Sequence, residues 1–137
     1  MTPEILARIT AARAARDLSD LARQAVGTTA AAATPSERLI AARRLRQMAN
    51  EIIDRVVLAE ALGGTEWPEI ASALGRRDAA TVEGEYAESV EEWRQLPAEV
   101  LADGAEDARH LDAWYARHRE DCDPDVETPA SDLFNRR

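Results

Sequence analysis

Apolar residues recur at three- and four-residue spacing along most of this chain, which predicts a succession of amphipathic helices. Ile5, Leu6, Ile9 and Ala12, then Leu18, Leu21, Ala22 and Ala25, lay one apolar stripe along a helix from about Pro3 to Val26, with Gly27 as its C-cap. The low-complexity stretch Thr28 to Ala33 reads as a linker. Thr34-Pro35-Ser36-Glu37 then supplies an N-cap hydroxyl, a proline at the first helical position and a glutamate at the third, which together form a capping box. The helix it opens carries Leu39, Ala42, Leu45, Met48, Ile52, Ile53 and Val56 at helical period as far as Leu62, and Gly63-Gly64 ends it.

Shorter elements follow. Thr65 is placed to cap a helix from Glu66 to Leu74, with Pro68 tolerated in the first turn, and Gly75 permits a left-handed turn residue. Asp78 is a natural N-cap for a helix through about Gln95, with Val82, Tyr86, Ser89/Val90 and Trp93 as its inner face. Pro97 opens a short helix, Ala98 to Ala102, and Ala105 to Arg119 makes the last one, with Leu111, Trp114, Tyr115 and His118 as its apolar side. From Glu120 the chain turns Asp- and Pro-rich and reads as a tail disordered in the free protein. The predicted fold is all-α: five or six helices, with residues 1–27 as an N-terminal helix, 35–95 as the core, 96–120 as C-terminal helices and 121–137 as an acidic tail. The first two helices pack as an antiparallel hairpin or exchange in a dimer.

Composition supports packed helices. Aromatic residues are 4% of the 137, so Leu, Ile, Val and Ala must fill the core, and Trp67, Trp93 and Trp114 read as anchors at helix crossings. All 17 basic residues are arginine, which together with abundant alanine reads as coding bias. The single cysteine, Cys122, excludes an internal disulfide framework and fits a reducing cytoplasm. No apolar run approaches membrane-spanning length, and Glu4, Arg8 and Arg13 interrupt what a signal peptide would keep apolar, so a cytoplasmic location is expected.

Charge is unevenly distributed. Residues 1–60 hold nine Arg against seven acids, and residues 61–137 hold eight Arg against nineteen, giving the overall −9. Such a chain repels phosphate except at local basic patches. Catalysis is not expected: no serine has a histidine at triad-like spacing, Glu91 and Glu92 point to different sides of a helix, and Cys122 sits among acids that favour the neutral thiol. No cofactor or metal is expected either. His110 and His118 lie about 12 Å apart along a helix axis, too far for one ion.

The layout of helix, glycine break, short helix, glycine turn and longer helix is that of a helix-turn-helix. Trp67-Pro68-Glu69-Ile70-Ala71-Ser72-Ala73-Leu74-Gly75, with Tyr86, resembles a phrase of small helix-turn-helix proteins common in actinobacteria and their mobile elements, which are similar in turn to the DNA-reading region of sigma factors. Glu37 to Leu45 and Leu111 to His118 extend the resemblance over roughly residues 35–120. It implies a DNA-binding regulator or accessory factor, which as a homodimer would read two half-sites. Arg76 and Arg77 would grip backbone phosphate, Ala79, Ala80 and Thr81 would face the groove, and Arg43 and Arg44 would add to a basic patch.

The second helix departs from that family. Where DNA readers carry Ser, Thr, Arg or Gln, this chain has Asp78, Ala79, Ala80, Thr81 and Val82, and Asp78 to Arg94 holds six acids and one Arg. A second reading therefore stands beside the first: a helix-turn-helix scaffold that has lost DNA reading and docks a protein partner. Arg43, Arg44 and Arg46 also suit the solvated face of an amphipathic helix, and Arg76-Arg77 the ordinary exposed charge of a turn. The tail, finally, has the make-up of a peptide that folds onto a partner or onto the protein's own basic surface.

Overall fold

A computed structural model describes residues 1–30 and 32–135; Ala31, in the expected linker, and Arg136-Arg137, at the end of the tail, lie outside them. The described residues are all-helical: α1 (Pro3–Gly27), α2 (Pro35–Leu62), α3 (Trp67–Ala73), α4 (Ala79–Arg94), α5 (Ala98–Ala102), α6 (Gly104–His118) and a terminal 3₁₀ turn, Ser131–Asn135. None of these helices is long and apolar enough to cross a membrane.

The boundaries follow from local chemistry. The Thr2 hydroxyl accepts from the Ile5 amide at the start of α1. At α2 the full capping box forms: Thr34 Oγ1 accepts from the Glu37 amide at 3.1 Å, and a Glu37 carboxylate oxygen accepts from the Thr34 amide at 3.0 Å. Two glycines take the left-handed conformation that side chains resist, Gly64 (φ +94°) after α2 and Gly75 (φ +72°) after α3. One expected cap differs. Glu66, not Thr65, is the N-cap of α3 and makes no side-chain cap bond, while the Thr65 hydroxyl donates to the Glu60 carboxylate at 3.0 Å.

α1 and α2 form an antiparallel hairpin within one chain. Its register is marked by Arg8 against Glu60 at 3.7 Å on one face and by Arg55 Nη1 donating to the Thr10 carbonyl at 3.5 Å on the other. Two apolar clusters grow from the base of this hairpin. In the first, Ala7, Val57, Leu58 and Ala61 meet Ile70, Ala71, Val82 and Val90, with Trp67, Tyr86 and Trp93 packed around them. Trp67 and Trp93 thus stand where helices cross. Val82 has no exposed surface, which makes it the pivot of the three-helix unit formed by the end of α2, α3 and α4.

The second cluster joins Ile9 of α1 to Ala108 and Leu111 of α6 and to Ala130, with Leu133 and Phe134 laid against it. Residues 121–135, read from composition as a disordered tail, are thereby placed along α6. Asp112 is the reason: buried at 6% exposure, it accepts from the Ala130 amide at 2.8 Å and the Ser131 amide at 3.0 Å, capping the 3₁₀ turn. The Tyr115 hydroxyl donates to the Pro124 carbonyl, and Arg119 reaches Asp125 and the Val126 carbonyl. Removing the anchor should release the segment. Asp112→Ala is expected to cost about 2 kcal/mol, the loss of two charge-assisted bonds offset by water reaching the freed amides. Limited proteolysis would read it as new cleavage confined to residues 120–135.

His118 also differs from its expected place on the apolar side of the last helix. It is exposed and stacks on Trp114, ring centroids 4.7 Å apart, while its Nδ1 lies 2.8 Å from the Trp114 carbonyl.

Candidate nucleic-acid interface

The seven residues that sequence reasoning assigns to DNA contact fall into two groups. Arg76, Arg77, Ala79, Ala80 and Thr81 lie together, from the turn after α3 through the first turn of α4. Arg43 and Arg44 lie elsewhere. Both are exposed on α2, but Arg44 is ten residues from Asp54, where α4 first bonds to α2 through Tyr86, so it sits about 15 Å up the hairpin. The structure does not gather the arginines into one patch.

The positions around the turn are already occupied by their own neighbours. The Asp78 carboxylate caps α4, accepting from the Ala80 amide at 3.0 Å and from the Thr81 hydroxyl. These bonds, the Thr81 hydroxyl first, pull its pKa below the ordinary carboxylate range. The amide and hydroxyl that could meet a phosphate at this helix start are thus engaged by an internal anion. Ala79 is half-buried against the first cluster. Ala80 is exposed but offers only a methyl group.

Arg76 is held more firmly still. Its Nη1 and Nη2 donate to the two carboxylate oxygens of Glu85 at 2.7 and 2.8 Å, a bidentate clamp from the turn onto the second turn of α4. The pairing pulls the Glu85 carboxyl down and pushes the Arg76 guanidinium up, each because the other's hydrogen bonds favour the charged form. Both side chains remain solvent-accessible, so the clamp sets geometry more than stability. Arg77 is exposed and makes no ion pair among the described residues.

Beyond the first turn, the solvent side of α4 is a row of carboxylates. Glu83, Glu85, Glu88, Glu91 and Glu92 are all exposed; Arg94 at its end pairs with Glu91 at 3.5 Å. A helix presenting this face to a duplex would set like charge against phosphate along its length.

Sequence reasoning names Tyr86 as inner-face but misses its partner. The Tyr86 hydroxyl donates to Asp54 Oδ1 at 2.7 Å, tying α4 to α2 across 32 residues of sequence. Burial, then this bond, pushes the Tyr86 pKa up to about 12. A folded-state pKa raised above the unfolded value of about 10 stabilises the fold fully below pH 10, and that contribution fades as the pH climbs towards 12. Wild type should therefore lose stability between pH 10 and 12 more steeply than Tyr86→Phe, as denaturant midpoints across that range would register. At neutral pH the phenylalanine variant should be weaker by about 1 kcal/mol.

A shallow cavity of about 470 Å³ lies between α2 and α4, walled by Asp54, Arg55, Glu85, Tyr86, Ser89 and Trp93. Among the described residues no three His, Cys, Asp or Glu side chains gather as a metal ion would require. Comparison with protein-family models, with curated proteins and with solved structures gave no match.

Proposed function

We propose that this chain is a helix-turn-helix-derived interaction module, docking a basic protein partner on the acidic face of α4. The observation that carries the reading is the Arg76–Glu85 clamp beside the Asp78 cap: the start of the second helix is neutralised from within. A carboxylate row in water favours Arg- or Lys-rich partners by steering and complementarity, and disfavours polyphosphate by the same sign argument.

The test is a pair of titrations followed by backbone NMR. An Arg-rich peptide should shift the amides of residues 83–92, while random-sequence duplex DNA at low salt should leave them in place. Saturable DNA binding that falls steeply with salt, and that Arg77→Glu abolishes, would overturn the proposal in favour of a DNA-binding regulator. That second reading has its own support, since α2, α3 and α4 pack around Val82 with Gly75 turning the chain, and Arg77 is exposed at the turn with no ion pair among the described residues.

A further inference from the structure

The hairpin carries more apolar surface than its own contacts use. Every buried residue of α1 lies between Ala7 and Ala14, and every one of α2 between Val57 and Ala61. Beyond these stretches apolar side chains stay in solvent, with Leu39 72%, Ile53 44%, Val56 44% and Val26 69% exposed, Val56 at the edge of α3.

These exposures are ordered. On α2, Leu39, Ala42, Arg46, Ala49, Ile53 and Val56 recur at alternating three- and four-residue steps that continue to Glu60. This is a coiled-coil seam. It is distinct from the half-buried stripe of Ala41, Leu45, Met48 and Ile52, which faces α1. On α1, Arg8, Ala12, Ala15, Ser19, Ala22 and Val26 follow the same steps. The Arg8–Glu60 ion pair shows that the two seams edge the same face of the hairpin, and antiparallel register sets Ala12 beside Val56, Ala15 beside Ile53 and Ser19 beside Ala49.

We infer that this face binds a second copy of the chain, giving a four-helix bundle with its two-fold axis along the hairpin. Relief argues for a copy rather than a foreign partner. The α2 seam is ridged by Ile53, Val56 and Leu39, while the α1 seam is a furrow of alanine and serine, walled on its far side at Ala12 and Ala15 by Trp114 and Tyr115 of α6 and by Leu133. Rotation about that axis sets the α2 ridge of each copy over the α1 furrow of the other, and makes every neighbouring helix antiparallel. Self-complementarity of this kind is what an isologous interface needs. Charge allows it: Arg8 bonds Glu4 at 3.0 Å and reaches Glu60 at 3.7 Å at one end, leaving a single net negative charge there, and Arg46 lies over Ala22 of the second copy, where its long arm can reach solvent. Size allows it too. From Leu39 to Glu60 the face runs about 32 Å, and two helices abreast give roughly 600 Å² per copy, within reach of a stable dimer.

The inference concerns α1 and α2 and stands whether α4 meets a protein or DNA. Sedimentation equilibrium between about 10 and 100 µM should give twice the chain mass of 15.1 kDa. Ile53→Glu and, separately, Leu39→Glu should each return it to one chain with helicity unchanged; both positions are exposed, so neither threatens the fold. In a Cys122→Ser background, Ser19→Cys mixed with Ala49→Cys should yield the mixed disulfide in preference to either self-paired one. A wild type that stays a monomer at 100 µM, a dimer that both glutamate variants leave intact, or self-paired disulfides in place of the mixed one would overturn it.

Discussion

Ile9→Ala is expected to lower stability by about 3 kcal/mol, the usual cost of emptying a fully buried branched site. Ile9 is 1% exposed and joins three segments far apart in sequence: its own helix, Ala108 and Leu111 of α6, and Ala130 of the tail. The cavity would open where these meet, and Ile5, Leu133 and Phe134, which pack against the cluster, would relax into it only in part. In a chain of this size that cost corresponds to a fall in Tm of roughly 10 °C. Thermal unfolding by circular dichroism measures it. A single transition that shifts as a whole would show both clusters melting together. A new early transition with the main one unmoved would show that α6 and the tail are a separable layer on the hairpin, and a fall under about 1 kcal/mol would mean the contact is looser than the burial implies.

Glu85→Gln is expected to release Arg76 and raise affinity for duplex DNA by about tenfold at low salt, the worth of one freed guanidinium reaching a phosphate. Phosphate and the Glu85 carboxylate compete for one guanidinium. In the wild type a phosphate must displace a bidentate carboxylate held at 2.7 and 2.8 Å, whereas the amide of glutamine carries no charge and one oxygen. The salt dependence should steepen by about one unit in log K against log salt, as one added phosphate contact requires. Acid should act in the same direction: Glu85 is held below the ordinary carboxylate range, so the clamp persists through that range and loosens only as the pH falls below it. Unchanged affinity and slope would mean the remaining α4 carboxylates exclude DNA without help from the clamp. A tighter-binding variant that also loses the Arg-rich peptide would put both ligands on one surface.

The proposed module and the proposed dimer use different faces. α4 presents its carboxylates from the three-helix unit, while the exposed seams edge the opposite side of the hairpin from Arg55 and Thr10, which line the α2–α4 cleft. A dimer of this kind would therefore carry two acidic helices at one end of a four-helix stem.

Much of the helical layout was legible along the chain. Thr34 to Glu37 specify their capping box through bonds spanning three residues, Gly75 supplies the left-handed turn, and Asp78 caps α4 through its own neighbours. Such features are local, so the residues that form them stand together in sequence. The apolar periods of α1 and α4 likewise mark their inward faces before anything packs.

What the sequence left open depended on segments meeting from afar. Arg76 reads as a phosphate contact until the turn brings it to Glu85, nine residues on and off any helical period. Nothing local in residues 121–135 announces that Asp112, eighteen residues before Ala130, will be buried where it accepts the Ala130 and Ser131 amides. The α2 helix carries two apolar seams of similar spacing, and periodicity alone does not say which α1 will cover. Local hydrogen bonding and hydrophobic period thus determined where helices begin, end and turn, and only tertiary packing decided which charges are spent internally and which apolar face is left exposed.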